Sequence, residues 1–255
     1  MKTLTFFNGK GGVGKTTQTE MFASFLRYRE GARVAVFDLE NPTPRIRHAR
    51  ESEKRLLEDP ASWLSRYMAK NPGTPSYYDI VDLTGGVSAY TPEYLKELCD
   101  KAWKFVEEHD KDYDYALFDF PAMFMKASPA FAIITSGLID LTVIPIDVDN
   151  ATRREGIITG KIVSDNGQRV VAFWNNVSPE DIRRKGYLES GEEIFVRNGI
   201  EVLPQRVKSF AKARRDSDER LFVKSTVCWP ERYVEMACPQ LVGLYGELKS
   251  RLDRI

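Results

Sequence analysis

The sequence predicts an α/β protein with a doubly wound, mostly parallel sheet and helices on both faces. Three observations carry that expectation. Short apolar runs alternate with helix-patterned segments along the chain, the order that gives parallel strands joined by crossover helices. Several of those runs are apolar throughout rather than alternating, which suits strands covered on both faces. A glycine-rich stretch, Gly9–Thr17, lies between the first apolar run and the first helical pattern.

Taken in order, the strand candidates are Thr3–Asn8, Arg33–Asp38, Tyr78–Asp82, Tyr115–Asp119, Leu141–Ile146, Val170–Asn175 and Ile200–Leu203. The helical segments are Lys15–Glu30, Ser52–Lys70, Pro92–Asp110, Pro129–Ser136, Ala151–Asp165, Pro179–Asn198, Arg206–Arg214 and a last region from about Arg232 to Ile255. Gly31 closes the first helix as a C-cap. Ser128 before Pro129 is an N-cap followed by proline at the first helical position. The charged stretch from Asn41 to Lys70 is expected at the surface, and Asn71-Pro72-Gly73-Thr74-Pro75 reads as a loop. With no internal repeat and no biased linker, residues 1–255 read as a single domain.

The bulk composition excludes more than it selects. Lys plus Arg and Asp plus Glu both number 37, so any surface for nucleic acid or membrane must come from local clustering. Three cysteines, Cys99, Cys228 and Cys238, stand far apart with no C-x-x-C pair, which argues against a disulfide framework, a zinc site or a bridged iron–sulfur cluster and favours a reducing, cytoplasmic setting. No signal-peptide pattern precedes the first strand. The most apolar stretch, Ala130 to Ile146, is interrupted by Ser136, Gly137 and Asp140 and reads as helix, turn and buried strand rather than a membrane span.

The chemistry begins at Gly9-Lys10-Gly11-Gly12-Val13-Gly14-Lys15-Thr16-Thr17. This is the G-x-x-x-x-G-K-[ST] phosphate loop with a strand before it and a helix after it. Glycines let successive backbone N–H groups turn inward onto phosphate oxygens, while Lys15 reaches the terminal phosphates and the Thr16 hydroxyl ligates Mg²⁺. Two acidic strand ends follow: Phe37-Asp38-Leu39-Glu40 and Leu117-Phe118-Asp119. A carboxylate at the C-terminal end of a buried strand sits beside the loop, where it holds Mg²⁺ or orients an attacking water. Asp119 fits the Mg²⁺ partner; Asp38 and Glu40 are candidates for the water-positioning group and its support.

Lys10 is surplus to an ordinary phosphate loop. With it, Lys10-Gly11-Gly12-Val13-Gly14-Lys15-Thr16-Thr17 resembles the deviant Walker A motif of the ParA/MinD family of ATPases. Phe37-Asp38-Leu39-Glu40 resembles that family's switch I, and Asp114 to Pro121 its Walker B and switch II. Asp140–Ile146 resembles a later core strand, Phe173-Trp174-Asn175-Asn176 the strand ending in an adenine-contacting Asn, and Val202-Leu203-Pro204 the segment that closes over the base. The resemblance implies a P-loop NTPase fold, ATP and Mg²⁺ as cofactors, slow partner-stimulated hydrolysis, and an ATP-bound homodimer into which Lys10 reaches across to the partner's nucleotide. By the same resemblance Asp38 joins Thr16 and Asp119 around the metal. The family usually has Asp followed by Pro-Gln where this chain has Glu40-Asn41-Pro42. The run Asp38 to Pro44, with basic residues after it, is similar to the VirC-type branch linked to conjugative DNA transfer.

Lys208, Lys212 and Arg215 are spaced to share one face of a helix, flanked by Arg206 and Arg214. The residues alone read most simply as a solvated face; the resemblance tips the reading towards nonspecific DNA binding through phosphates. It also implies a protein partner, either a ParB-like adaptor or a conjugation (relaxosome) protein, and a nucleoid-associated location. A second basic cluster, Arg45, Arg47, His48 and Arg50, adjoins switch I. The alternative is a MinD-like membrane-cycling ATPase. The stripe Leu241, Leu244, Tyr245, Leu248, Leu252 and Ile255 is expected to pack on the sheet rather than on lipid. The first strand leaves no room ahead of it for a helix-turn-helix, so operator reading is not expected.

Overall fold

Leu4 pairs with Leu117 on one side and Leu141 on the other, which puts the first strand of the chain at the centre of its sheet. The structure is a computed structural model that describes residues 1–40, 44–70, 78–85, 90–184, 186–208 and 239–255. Seven strands form the sheet: β1 (Lys2–Phe6), β2 (Val34–Asp38), β3 (Asp79–Val81), β4 (Tyr115–Asp119), β5 (Leu141–Ile146), β6 (Val170–Val177) and β7 (Glu201–Lys208). Their order is β3-β2-β4-β1-β5-β6-β7, and every pairing is parallel. β2, β4 and β5 are buried at every residue, as the unbroken apolar runs demand.

Helices cover both faces. α1 (Lys15–Ser24) follows β1 and widens into a π-helical turn at Phe25–Arg29. Gly31 ends it at φ +69°, in the left-handed region that favours glycine. α2 (Arg45–Glu58) and α3 (Trp63–Lys70) precede β3. α4 (Pro92–Glu108), α5 (Pro129–Thr135) and α6 (Asn150–Asp165) follow. After β6 come α7 (Pro179–Arg183) and α8 (Tyr187–Arg197), and α9 (Pro239–Asp253) closes the chain. The Ser128 hydroxyl caps α5 by accepting from the Phe131 N–H at 3.2 Å.

Leu4 and Phe6 face a core with Phe22 and Leu26 from α1 and Leu244, Tyr245 and Leu248 from α9. The opposite face packs Phe7, Phe37 and Phe118 against Leu98 and Ala102 of α4 and Ile133 of α5. A third cluster joins Ile144 and Trp174 to Leu188 and Phe195 of α8. The apolar stripe of α9 thus lies in the core, as expected; among the described residues no helix is long and apolar enough to cross a membrane.

Three expectations need correction. The charged segment turns helical at Arg45, not Ser52, and breaks between Glu58 and Trp63 into two helices. The segment Pro179–Asn198 is also two helices, because Gly186 adopts φ +78° between them. Arg206 and Lys208 belong to β7 rather than to a helix: β6 runs on to Val177 and pairs Trp174 with Arg206 and Val177 with Lys208 through register shifts. Pro204 sits in the first of those shifts, where the missing N–H does least harm to the ladder. The loop Asn71–Pro75, Cys228, Cys238 and the basic residues Lys212, Arg214 and Arg215 lie outside the described residues.

Candidate nucleotide site

The glycine loop leaves β1 where β1 borders β4 and β5, at the C-terminal edge of the sheet. Asn8 anchors its start. This fully buried side chain donates to Pro145 O at 3.0 Å and Thr152 O at 3.2 Å, and accepts from the Lys10 N–H at 3.0 Å. One side chain thus ties the loop to β5 and α6. Gly12 and Gly14 take φ +79° and +90°, turning the backbone so that α1 begins at Lys15 with no side chain capping its N-terminus. Uncapped N–H groups at a helix start are donors aimed at an anion.

Lys15 is 7 % exposed and donates its Nζ to Lys10 O at 3.0 Å. Burial pulls its pKa down to about 8, against the opposing pull of Asp119 and Glu40. Asp119 ends β4 fully buried, and neither of its oxygens has a hydrogen-bond partner among the described residues. The Thr16 hydroxyl faces it and favours its charged form, but without meeting hydrogen-bond geometry. Burial, reinforced by Asp38 and Glu40, lifts its pKa to about 8. A buried carboxylate with free lone pairs, beside a threonine hydroxyl and a phosphate cradle, fits Mg²⁺. That ion takes few protein oxygens and completes its octahedron with phosphate and water. The described residues contain no cluster of three His, Cys, Asp or Glu able to cage a metal on their own.

Asp38 stands in register with Asp119 on the adjacent strand. Its oxygens accept from the Glu40 N–H at 3.3 Å and the Arg47 N–H at 3.0 Å, so it fastens the end of β2 to the first turn of α2. Burial raises its pKa. Glu40 lies 3.5 Å from the Arg45 guanidinium, within ion-pair range but outside hydrogen-bond geometry. Burial raises its pKa too, with Arg45 working the other way. Lys10 is exposed at the loop's lip, and its ammonium makes no hydrogen bond or ion pair among the described residues.

The structure therefore gathers Lys10, Gly11, Gly12, Val13, Gly14, Lys15, Thr16, Thr17, Asp38, Glu40 and Asp119 at one edge. Asn175 lies behind the loop and bonds to it: its Nδ2 donates to Val13 O at 2.7 Å. Pro204 is exposed on β7. Arg206, singled out for DNA, makes 3.0 Å ion pairs with Glu189 and Glu192 instead, while Lys208 is exposed at the end of β7. Sequence reasoning missed Asn8, Gln18 and Tyr245. For Asn8 a signal existed: an uncharged amide that ends an apolar strand just before a glycine loop has buried backbone groups to satisfy.

A parallel sheet, a glycine loop leading from its central strand into an uncapped helix, and a buried Asp on the next strand define a P-loop nucleoside-triphosphatase fold. The AAA domain profile matches residues 1–159. No curated protein matches the sequence. Among solved structures, a McdA variant of Cyanothece in complex with ATP is 17 % identical, with 99 % of this chain and 96 % of that one covered at a TM-score of 0.64. The septum site-determining protein MinD of Pyrococcus horikoshii, complexed with Mg-ADP, is 16 % identical, covering 100 % and 99 % at 0.59. A plasmid partition protein of Borrelia burgdorferi is 12 % identical, covering 96 % and 98 % at 0.57. At these identities each likeness is one of fold. The chain belongs to the AAA domain family, and its fold is that of the MinD, McdA and plasmid-partition structures.

Proposed function

We propose that this chain is an ATP-dependent dimerising switch of the ParA type. It binds DNA nonspecifically and acts with a protein partner in plasmid or chromosome partition or in conjugative DNA transfer. The observation that carries the reading is Lys10: an exposed ammonium, without a hydrogen-bond or ion-pair partner among the described residues, on the lip of an otherwise complete phosphate cradle. A cation that has no use in its own site can stabilise charge on a phosphoryl group in a facing site, and it does so only when two subunits close. Within one site Lys15 and the loop N–H groups would hold the β- and γ-phosphates, and Thr16 and Asp119 would hold Mg²⁺, which neutralises charge on those phosphates. Asp38 would fix switch I, leaving Glu40 to orient water once Arg45 turns to phosphate. Hydrolysis would be slow and raised by the partner, in a cytoplasmic and nucleoid-associated setting. The burial of the α9 stripe supports this reading over the MinD-like membrane-cycling one, which needs an apolar helical face open to lipid.

Size-exclusion chromatography with light scattering tests the switch. Wild type is expected to dimerise with ATP and Mg²⁺ and not with ADP. Lys10→Ala is expected to keep nucleotide binding but lose the dimer, or to hydrolyse on the order of 10³-fold more slowly. A wild type that remains monomeric with ATP and Mg²⁺ overturns the proposal. For the DNA half, replacing Lys208, Lys212 and Arg215 together with alanine should weaken binding and flatten its salt dependence. Unchanged DNA affinity removes that patch.

A further inference from the structure

The phosphate loop is braced from behind by a relay that ends on the last helix. Asn175 donates Nδ2 to Val13 O at 2.7 Å. Its Oδ1 accepts from Gln18 Nε2 at 3.0 Å, and Gln18 Oε1 accepts from the Tyr245 hydroxyl at 2.7 Å. Val13, Asn175, Gln18 and Tyr245 are 3 %, 7 %, 3 % and 2 % exposed. Water cannot replace these bonds, so each carries the cost of an orphaned polar group if broken. The Tyr245 ring is fixed by Phe22 and Phe25, at 5.3 and 5.6 Å between centroids.

The consequence lies in one peptide plane. Val13 C=O and Gly14 N–H belong to the same planar unit and point in opposite directions. Clamping the Val13 carbonyl back onto Asn175 turns the Gly14 N–H the other way, towards the front of the loop where phosphate would sit. The fit is close: a Cβ at Gly14 would lie 2.6 Å from Asn175 Nδ2. Gln18 holds the Asn175 amide in the orientation this clamp needs, and Tyr245 holds Gln18.

We infer that Tyr245, through Gln18 and Asn175, is a positioning residue for the phosphate cradle, and that α9 is therefore coupled to nucleotide binding. The inference rests on the reading of Gly9–Thr17 as the nucleotide site. Coupling is reciprocal: a well-seated α9 tightens nucleotide, and bound nucleotide steadies α9. The relay has no part in bond breaking, so its removal raises KM and leaves kcat nearly unchanged.

The test is a titration of the full chain with the fluorescent analogue mant-ATP, for wild type, Tyr245→Phe, Gln18→Met and the double variant, each checked for folding by its melting temperature. Tyr245→Phe keeps the ring packing and is expected to weaken binding about 3- to 10-fold. Gln18→Met should weaken it further. The double variant should match Gln18→Met alone, because Tyr245 reaches the loop through Gln18. Hydrogen exchange across residues 239–253 should slow on adding nucleotide in the wild type, and should not in Tyr245→Phe. Wild-type affinity in Tyr245→Phe, or losses that multiply in the double variant, would overturn the inference whatever happens to melting temperature. A wild type that fails to bind mant-ATP brings down the nucleotide reading itself, and this inference with it.

Discussion

Asp119→Asn is expected to melt higher than the wild type above about pH 7 in the absence of metal and nucleotide, while losing about 10²- to 10³-fold in hydrolysis. The two effects share a cause. A fully buried carboxylate whose oxygens have no partner is costly when charged. Its pKa rises from 3.8 to about 8 in the fold. Between those values the folded state holds a proton that the unfolded chain has released. Stability from this group is therefore complete below about pH 4 and declines as pH rises to about 8, by at most about 1.4 kcal/mol per pH unit. Lys15 acts in the opposite direction at higher pH. Its pKa is lowered from 10.5 to about 8, so stability recovers as pH rises from about 8 towards 10.5, where the unfolded chain still holds the proton. The ligand-free protein should show a minimum near pH 8, where Asp119 is losing its proton and Lys15 has not yet fully lost its own. Thermal melts across pH with a metal chelator present check this. A wild-type profile that Asp119→Asn reproduces unchanged counts against Asp119 as the source, and full hydrolysis in that variant counts against it as the Mg²⁺ holder.

Gly14→Ala is expected to abolish nucleotide binding and to destabilise the ligand-free protein by about 1–3 kcal/mol. Gly14 sits at φ +90°, and an added Cβ meets the pinned Asn175 amide at 2.6 Å. Two penalties coincide, one in the backbone and one in packing. Gly12 is the internal control. It has φ +79° but nothing within 4 Å of an added Cβ, so Gly12→Ala incurs only the backbone penalty of about 1–2 kcal/mol. Chemical denaturation of both variants without ligand separates the two penalties. Equal destabilisation would mean that Asn175 yields and that the clamp on Val13 is slack.

The strands were legible because they are the apolar runs themselves: all seven candidates are strands, with ends shifted by a few residues. The phosphate loop was legible because its chemistry needs glycine, lysine and threonine at fixed spacing, which leaves no substitute. What escaped the sequence depends on partners distant in the chain. Arg206 and Lys208 look helical by spacing, yet an extended β6 recruits them as a strand, and pairing overrides local preference. The start of α2 is hidden because Pro44 carries no capping side chain; the Arg47 N–H is satisfied by Asp38, nine residues back in the chain. The family resemblance assigns Asn175 to the base; in the structure its amide bonds to Val13 and Gln18. Its side-chain direction, towards Val13 and Gln18, is set by the spacing between β6 and α1, which no local pattern encodes.

The central position of β1 also bears on how the protein is made. β1 is made well before the strands it pairs with, which start at Tyr115 and Leu141. A nascent chain emerging from the ribosome holds β1 with neither of its neighbours to lay it against until residue 115 appears. The strand gains its second neighbour only once residue 141 and beyond have emerged. Closing such long loops is slow, and the early apolar run stays open to misassociation meanwhile. The ligand cradle hangs from that strand and is anchored to Pro145 and Thr152 through Asn8. It therefore forms only after β5 and the start of α6 have emerged, although its own residues are translated well before them, and a truncated product ending before β5 has no competent loop.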